Sequence, residues 1–206
     1  MLQLRAAPGG GQLLNDSIRF HLRACTAATH ARLDASIGLF DSREAYRRYL
    51  RGMLAFREAA EDAVTQAIYP DWFENWRPRT IAAALRADMD DLGMDVPEET
   101  YRRHDLGHAV TGSASLLGTL YVLEGSALGA RLLYARAKEL GLDENFGARH
   151  LALQTRHKES WRDFVSIMER AGAIVDKDEA GKASVLTFDL AERRLTMEVT
   201  KEENEA

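Results

Sequence analysis

From Ala109 to Leu123 the chain carries no charged side chain, and Glu124 and Arg131 follow directly. The run is too short to span a bilayer. Joined to the residues on its C-terminal side, it reads as one long helix over 111–141. Within it, the segment from Leu116 to Arg136 places Gly118, Gly125 and Gly129 within about one helical face. Each glycine costs roughly 1 kcal/mol against alanine inside a helix, so something has to offset the cost. Bare backbone lets a flat ligand approach closely and permits a kink. It also lets two helices pack tightly through small residues. Spacing alone supports both readings equally.

The remaining pattern is helical too. Proline occurs four times, strand-like alternation is nearly absent, and there are no internal repeats. The expectation is an all-α, single-domain helical bundle over 15–200, with a flexible leader at 1–14 and a charged tail at 201–206. A first helix is predicted from Asn15–Ser17 to about Ser36. A second has its capping box at Asp41 and Glu44 and ends before Pro70. Its Tyr46, Tyr49, Leu50, Met53 and Phe56 share one side. Trp72 and Trp76 fall in a loop, a third helix covers about 79–92, and further helices are predicted at about 155–172 and 178–199.

With 46% hydrophobic and 29% charged residues the chain has the balance of a globular domain. A net charge of −5 argues against a general nucleic-acid binder. Cys25 is the only cysteine, which excludes an internal disulfide and fits a cytoplasmic location. The N-terminal residues lack the apolar core of a secretory signal, and no membrane partner is expected.

His30 carries the first chemical signal. In a helix, Arg23, Thr26, His30, Leu33 and Ile37 lie close to one face. An imidazole on a face of apolar and small residues suits iron. Asp34, one turn later, is placed to accept the other ring N–H and so fix the tautomer. The alternative is a histidine that is merely hydrogen-bonded in the core or solvated. On the glycine helix, Tyr121 and Leu132 extend the same wall, and Arg136 is placed to meet a ligand carboxylate or to be solvated. His104 and His108 have i, i+4 spacing but no intervening Glu, which makes a solvated pair. Cys25 lies about 100° from the His30 stripe and has no oxyanion-hole motif beside it.

Two segments together resemble the bacterial haem oxygenases. One is Leu22-Arg23-x-x-Thr26-x-x-x-His30-x-x-Leu33-Asp34; the other is Tyr121-Val122-Leu123-Glu124-Gly125-Ser126-x-Leu128-Gly129. The stretch Leu142 to Ala152, with Trp161 and Phe164, is similar to the same family. The likeness runs from about Ser17 to Met168 and fades after Gly172. It implies haem held between a proximal and a distal helix. His30 would be the iron ligand, Asp34 its acidic partner, and Gly125 and Gly129 the distal glycines with Ser126 between them. Arg23, Thr26 and Tyr121 would contact haem, with Arg23 paired to a propionate and Arg136 the second candidate for that task.

The implied activity is oxidative cleavage of haem at a meso carbon, giving biliverdin, iron and carbon monoxide from O2 and external electrons. The implied partner is an electron donor such as a ferredoxin or a reductase; the purpose is either iron acquisition or chromophore supply to a phytochrome-type photoreceptor that receives biliverdin. A haem carrier or sensor that leaves the ring intact is the alternative.

Overall fold

The computed structural model describes residues 17–37, 40–95, 106, 110–156 and 158–205. The predicted leader, Asn15, Gly38, His104 and His108 lie outside them. Helix α1 spans Ile18–Ile37 and α2 spans Arg43–Thr65. After a 3-10 turn at Asp71–Phe73 come α3 (Ala82–Asp91), α4 (Ser113–Gly125) and α5 (Ala127–Glu139). The chain ends with α6 (Arg149–Thr155), α7 (Lys158–Ala171) and α8 (Lys177–Glu205). Among the described residues there is no β-strand.

Local chemistry moves several predicted boundaries. Ser42, rather than Asp41, caps α2: in extended backbone its hydroxyl accepts from the Ala45 N–H at 3.2 Å. The Ser17 hydroxyl does not cap α1; it donates to Glu169 of α7 at 2.6 Å. The helix expected over 111–141 is broken at Ser126, whose Oγ donates to the Leu123 carbonyl at 2.7 Å. The helix expected over 155–172 starts at Lys158, and α6 precedes it. Helix α8 continues past Val199 to Glu205.

Helix α4 is the centre of the bundle. Leu116, Leu117, Leu120, Val122 and Leu123 are all buried, and each such side chain contributes about 1.5–3 kcal/mol relative to exposure. Counted together, α4 and α5 are long and apolar enough to cross a membrane, but half of the most apolar stretch is buried inside the fold. Helix α8 packs on α1, α2 and α4, and glycine makes two of these crossings possible. A β-carbon on Gly52 would sit 2.6 Å from the Arg194 carbonyl oxygen. One on Gly118 would overlap the Ala180 carbonyl and lie 3.0 Å from the Ala183 Cβ. Gly118 is therefore a helix-packing glycine, and the Ser184 hydroxyl seals the crossing by donating to its carbonyl at 3.0 Å. On the far side of the bundle, Asp88 accepts the Arg149 and His150 amides at 2.9 and 3.0 Å and so fixes the start of α6.

Candidate functional site between α1 and the α4–α5 break

Ile18, Leu22, Thr26 and Thr29 form the buried stripe of α1. His30, Arg23, Ala27, Ala31 and Asp34 fall on the exposed side. The His30 side chain is 58% exposed, and its Nδ1 lies 3.0 Å from the Asp34 carboxylate. Nδ1–H donates to Asp34, which leaves the Nε2 lone pair turned to other partners. Phe188 of α8 meets the imidazole edge-on, with ring centroids 5.5 Å apart. Arg32 holds α1 to the same helix through Glu192 at 3.0 Å and Asp189 at 3.3 Å. Nothing in the sequence of α8 signalled Phe188, because no motif of that helix matched.

The other described histidines are committed elsewhere. His150 is fully buried; its Nδ1–H donates to Asp88 at 2.7 Å and its Nε2 lies 3.3 Å from the Tyr49 hydroxyl. His21 faces Asp178 at 3.2 Å and Cys25 at 3.5 Å, away from the His30 face.

Helix α4 meets α1 at Tyr121, whose phenol lies beside the Thr26 side chain. Thr26 is thus turned inward, donating to the Leu22 carbonyl at 2.8 Å and lying beside Tyr121, instead of facing open space. Burial pushes the Tyr121 phenol up, against the pull of Thr26 and of Arg19 and Arg23. Arg19, one turn before Arg23, also stacks over Trp161 at 5.9 Å. It is the basic residue that sequence reasoning missed, and its i, i+4 spacing to Arg23 was the available signal.

One turn beyond Tyr121, a β-carbon on Gly125 would touch only Trp161, at 3.8 Å, and one on Gly129 would meet nothing within 4 Å. The three glycines of the stripe therefore part company: Gly118 is closed by α8, Gly125 has Trp161 at contact distance, and Gly129 faces open space. Leu128 and Leu132, at helical spacing from Tyr121, are 61% and 57% exposed. The open backbone at Gly129 with two bare leucines on α5, and an outward imidazole with two arginines on α1, are the kinds of group that suit a flat apolar ligand with anionic edges. Haem is a ligand of that kind: His30 offers a nitrogen donor for its iron, and Arg19 and Arg23 offer cations for its carboxylates.

Arg136 is engaged on its own helix with Glu139 at 2.8 Å. The Ser126 hydroxyl is turned to the rear, where Arg57 Nη1 and Gln154 Nε2 approach it at 3.4 and 3.3 Å. Behind the break lies a polar cavity of about 340 Å³, lined by Arg57, Arg79, Glu124, Gln154 and Ser160 among others. Burial raises the Glu124 carboxyl there, against hydrogen bonding from Ser160 and the pull of Arg57 and Arg79. Neither His30 nor Gly129 lines it.

No family model matches the chain. It is 35% identical over 168 residues to the haem oxygenase PigA of Pseudomonas aeruginosa, covering 76% of this chain and 82% of that protein. Its fold is similar to that of a haem oxygenase from Neisseria meningitidis solved with NO and CO bound. That match has a TM-score of 0.69 and 24% identity, over 89% of this chain and 92% of that one. The chain belongs to the haem oxygenase family. It is an oxidoreductase of the all-α haem oxygenase fold, with haem as both substrate and prosthetic group and O2 as co-substrate.

Proposed function

We propose that this haem oxygenase would seat haem between α1 and the α4–α5 pair, where His30 would hold its iron through Nε2. When bound, haem supplies both the iron that activates O2 and the meso carbon that is oxidised, and external electrons complete its conversion to biliverdin, free iron and carbon monoxide. The observation that supports the assignment is an exposed His30 oriented by Asp34 on α1, in a chain whose α5 also presents open backbone at Gly129.

The residues have separable tasks. Asp34 holds the His30 tautomer and ring plane. Arg23, with Arg19 beside it, meets the propionates in a guanidinium–carboxylate pairing. Arg136 joins them only by leaving Glu139. Leu128 and Leu132 would offer exposed apolar side chains to the macrocycle. Tyr121, beside Thr26, supports its edge, and Trp161 backs Gly125. The peptide groups of Gly125, Ser126 and Gly129 leave room on the oxygen side and present dipoles there, while the Ser126 hydroxyl shapes the break from behind. The backbone groups of Gly125, Ser126 and Gly129 would hold water for proton delivery when haem is bound.

An external electron donor is required, for which we propose a ferredoxin or a reductase. We likewise propose a phytochrome-type photoreceptor as recipient of biliverdin, a cytoplasmic location, a leader at 1–14 and a single domain over 15–200.

The test uses the full chain. It binds one haem, and His30→Ala changes the axial-ligand spectrum while leaving the far-ultraviolet circular dichroism intact. Haem turned over with O2 and a reductant gives bilin absorbance, whereas a haem spectrum that persists under those conditions defeats the enzymatic reading. Unaltered turnover in Gly125→Leu defeats the distal assignment.

A further inference from the structure

Arg57 is a cation in the middle of α2 with its side chain 3% exposed, and no sequence motif gave it a role. Its Nε donates to Glu61 at 2.8 Å. Nη1 donates to the Leu123 carbonyl at 3.2 Å and approaches the Ser126 hydroxyl at 3.4 Å, while Nη2 donates to the Arg79 carbonyl at 3.2 Å. Glu61 in turn accepts from the Ile81 and Ala82 amides at 2.8 and 3.1 Å, which caps α3. The guanidinium thus ties α2, the α3 entry and the helix break into one buried unit.

The Leu123 carbonyl is the informative acceptor. It receives two side-chain donors, Arg57 Nη1 and Ser126 Oγ, at the point where α4 gives way to α5. Side-chain donors inserted into the helical ladder are a recognised cause of kinks. The break falls between Gly125, which has Trp161 at contact distance, and Gly129, which faces open space. A planar fork with five donors serves several fixed acceptors at once; an ammonium in its place cannot.

We propose that Arg57, acting with Ser126, is a positioning residue: it holds the α4–α5 break and thereby sets where the Gly125–Gly129 backbone stands on the oxygen side of the site. The proposal rests on the distal assignment above, and its test separates the two.

Amide hydrogen exchange is measured on the haem-free full chain for residues 123–129, with circular dichroism as the folding control. In parallel, carbon monoxide is bound to the haem-loaded protein and its C–O stretching band recorded. Arg57→Lys keeps a charge beside Glu61 but loses the fork, and Ser126→Ala removes a single hydroxyl. Each is expected to speed exchange across the break by about tenfold, the loss of one or two hydrogen bonds, and to shift the C–O band. Arg57→Met is expected to exceed Arg57→Lys in both.

Wild-type exchange at 123–129 in folded Arg57→Lys overturns the proposal. Where the Arg57 variants do not fold, wild-type exchange in Ser126→Ala overturns it instead. Faster exchange with an unmoved C–O band shows that the break is held by Arg57 yet does not face the bound gas; that outcome overturns the distal assignment and the catalytic consequence with it. An unmoved exchange rate with normal haem binding leaves the distal assignment standing and overturns only the role of Arg57.

Discussion

Placing alanine at Gly118 and at Gly129 is expected to change stability in opposite directions, although both lie in helices of the same sequence stripe. At each site alanine gains up to about 1 kcal/mol of helix propensity. At Gly118 the new methyl overlaps the Ala180 carbonyl oxygen and lies 3.0 Å from the Ala183 Cβ. A backbone carbonyl in the first turn of α8 cannot rotate away as a flexible side chain would, so α4 and α8 must separate. Overpacking of this kind costs about 1–3 kcal/mol, and separation also stretches the Ser184 hydrogen bond to Gly118, worth about 1 kcal/mol.

The net expectation for Gly118→Ala is a loss of about 1–3 kcal/mol. For a chain of 206 residues that lowers Tm by about 3–10 °C. At Gly129 nothing lies within 4 Å, so the propensity gain is uncompensated and Tm rises by about 2 °C. Thermal and urea unfolding of the haem-free protein measure both. Turnover falls in Gly129→Ala, because the methyl occupies space open to the ligand, so stability and activity move apart. A Gly118→Ala protein as stable as wild type would refute the reasoning, and so would a destabilised Gly129→Ala.

Two further outcomes are expected. Leu132→Gln removes an exposed apolar side chain, so haem-free stability changes by no more than about 0.5 kcal/mol while haem affinity weakens several-fold in a titration; equal affinity would remove Leu132 from the ligand surface. His150 supplies a pH dependence. Burial pushes its imidazole below the ordinary value of about 6.5, with Asp88 opposing. The folded state therefore binds fewer protons than the unfolded chain below about pH 6.5, and stability is lost as pH falls through that window. The urea midpoint is expected to drop between about pH 7.5 and about pH 5.5, and less steeply in His150→Gln; identical slopes would contradict the assignment.

Much of the site was legible because its residues are local. His30 and Asp34 lie one turn apart, so the helix alone brings the imidazole and carboxylate to 3.0 Å. Gly125 and Gly129 were visible as glycines inside a helical pattern, and the apolar run before them marked the central helix. What periodicity could not supply was the environment of each residue. Gly118 and Gly129 look alike in sequence, and only the crossing with α8 closes the first and leaves the second open. Thr26 and His30 share a face by spacing, yet the position of α4 turns one inward to Tyr121 and leaves the other exposed.

Composition and spacing were enough to define the helical class, and the resemblance carried by two segments pointed to the family. Packing of the helices was needed to separate the glycines that are closed from those that are open, and to bring Phe188 against His30 from a helix with no recognisable motif. It was needed again to carry Arg57, remote in sequence from the glycines, to the break between them. Those facts depend on contacts between residues far apart in the chain, which arise only when α8 and α2 close around α4.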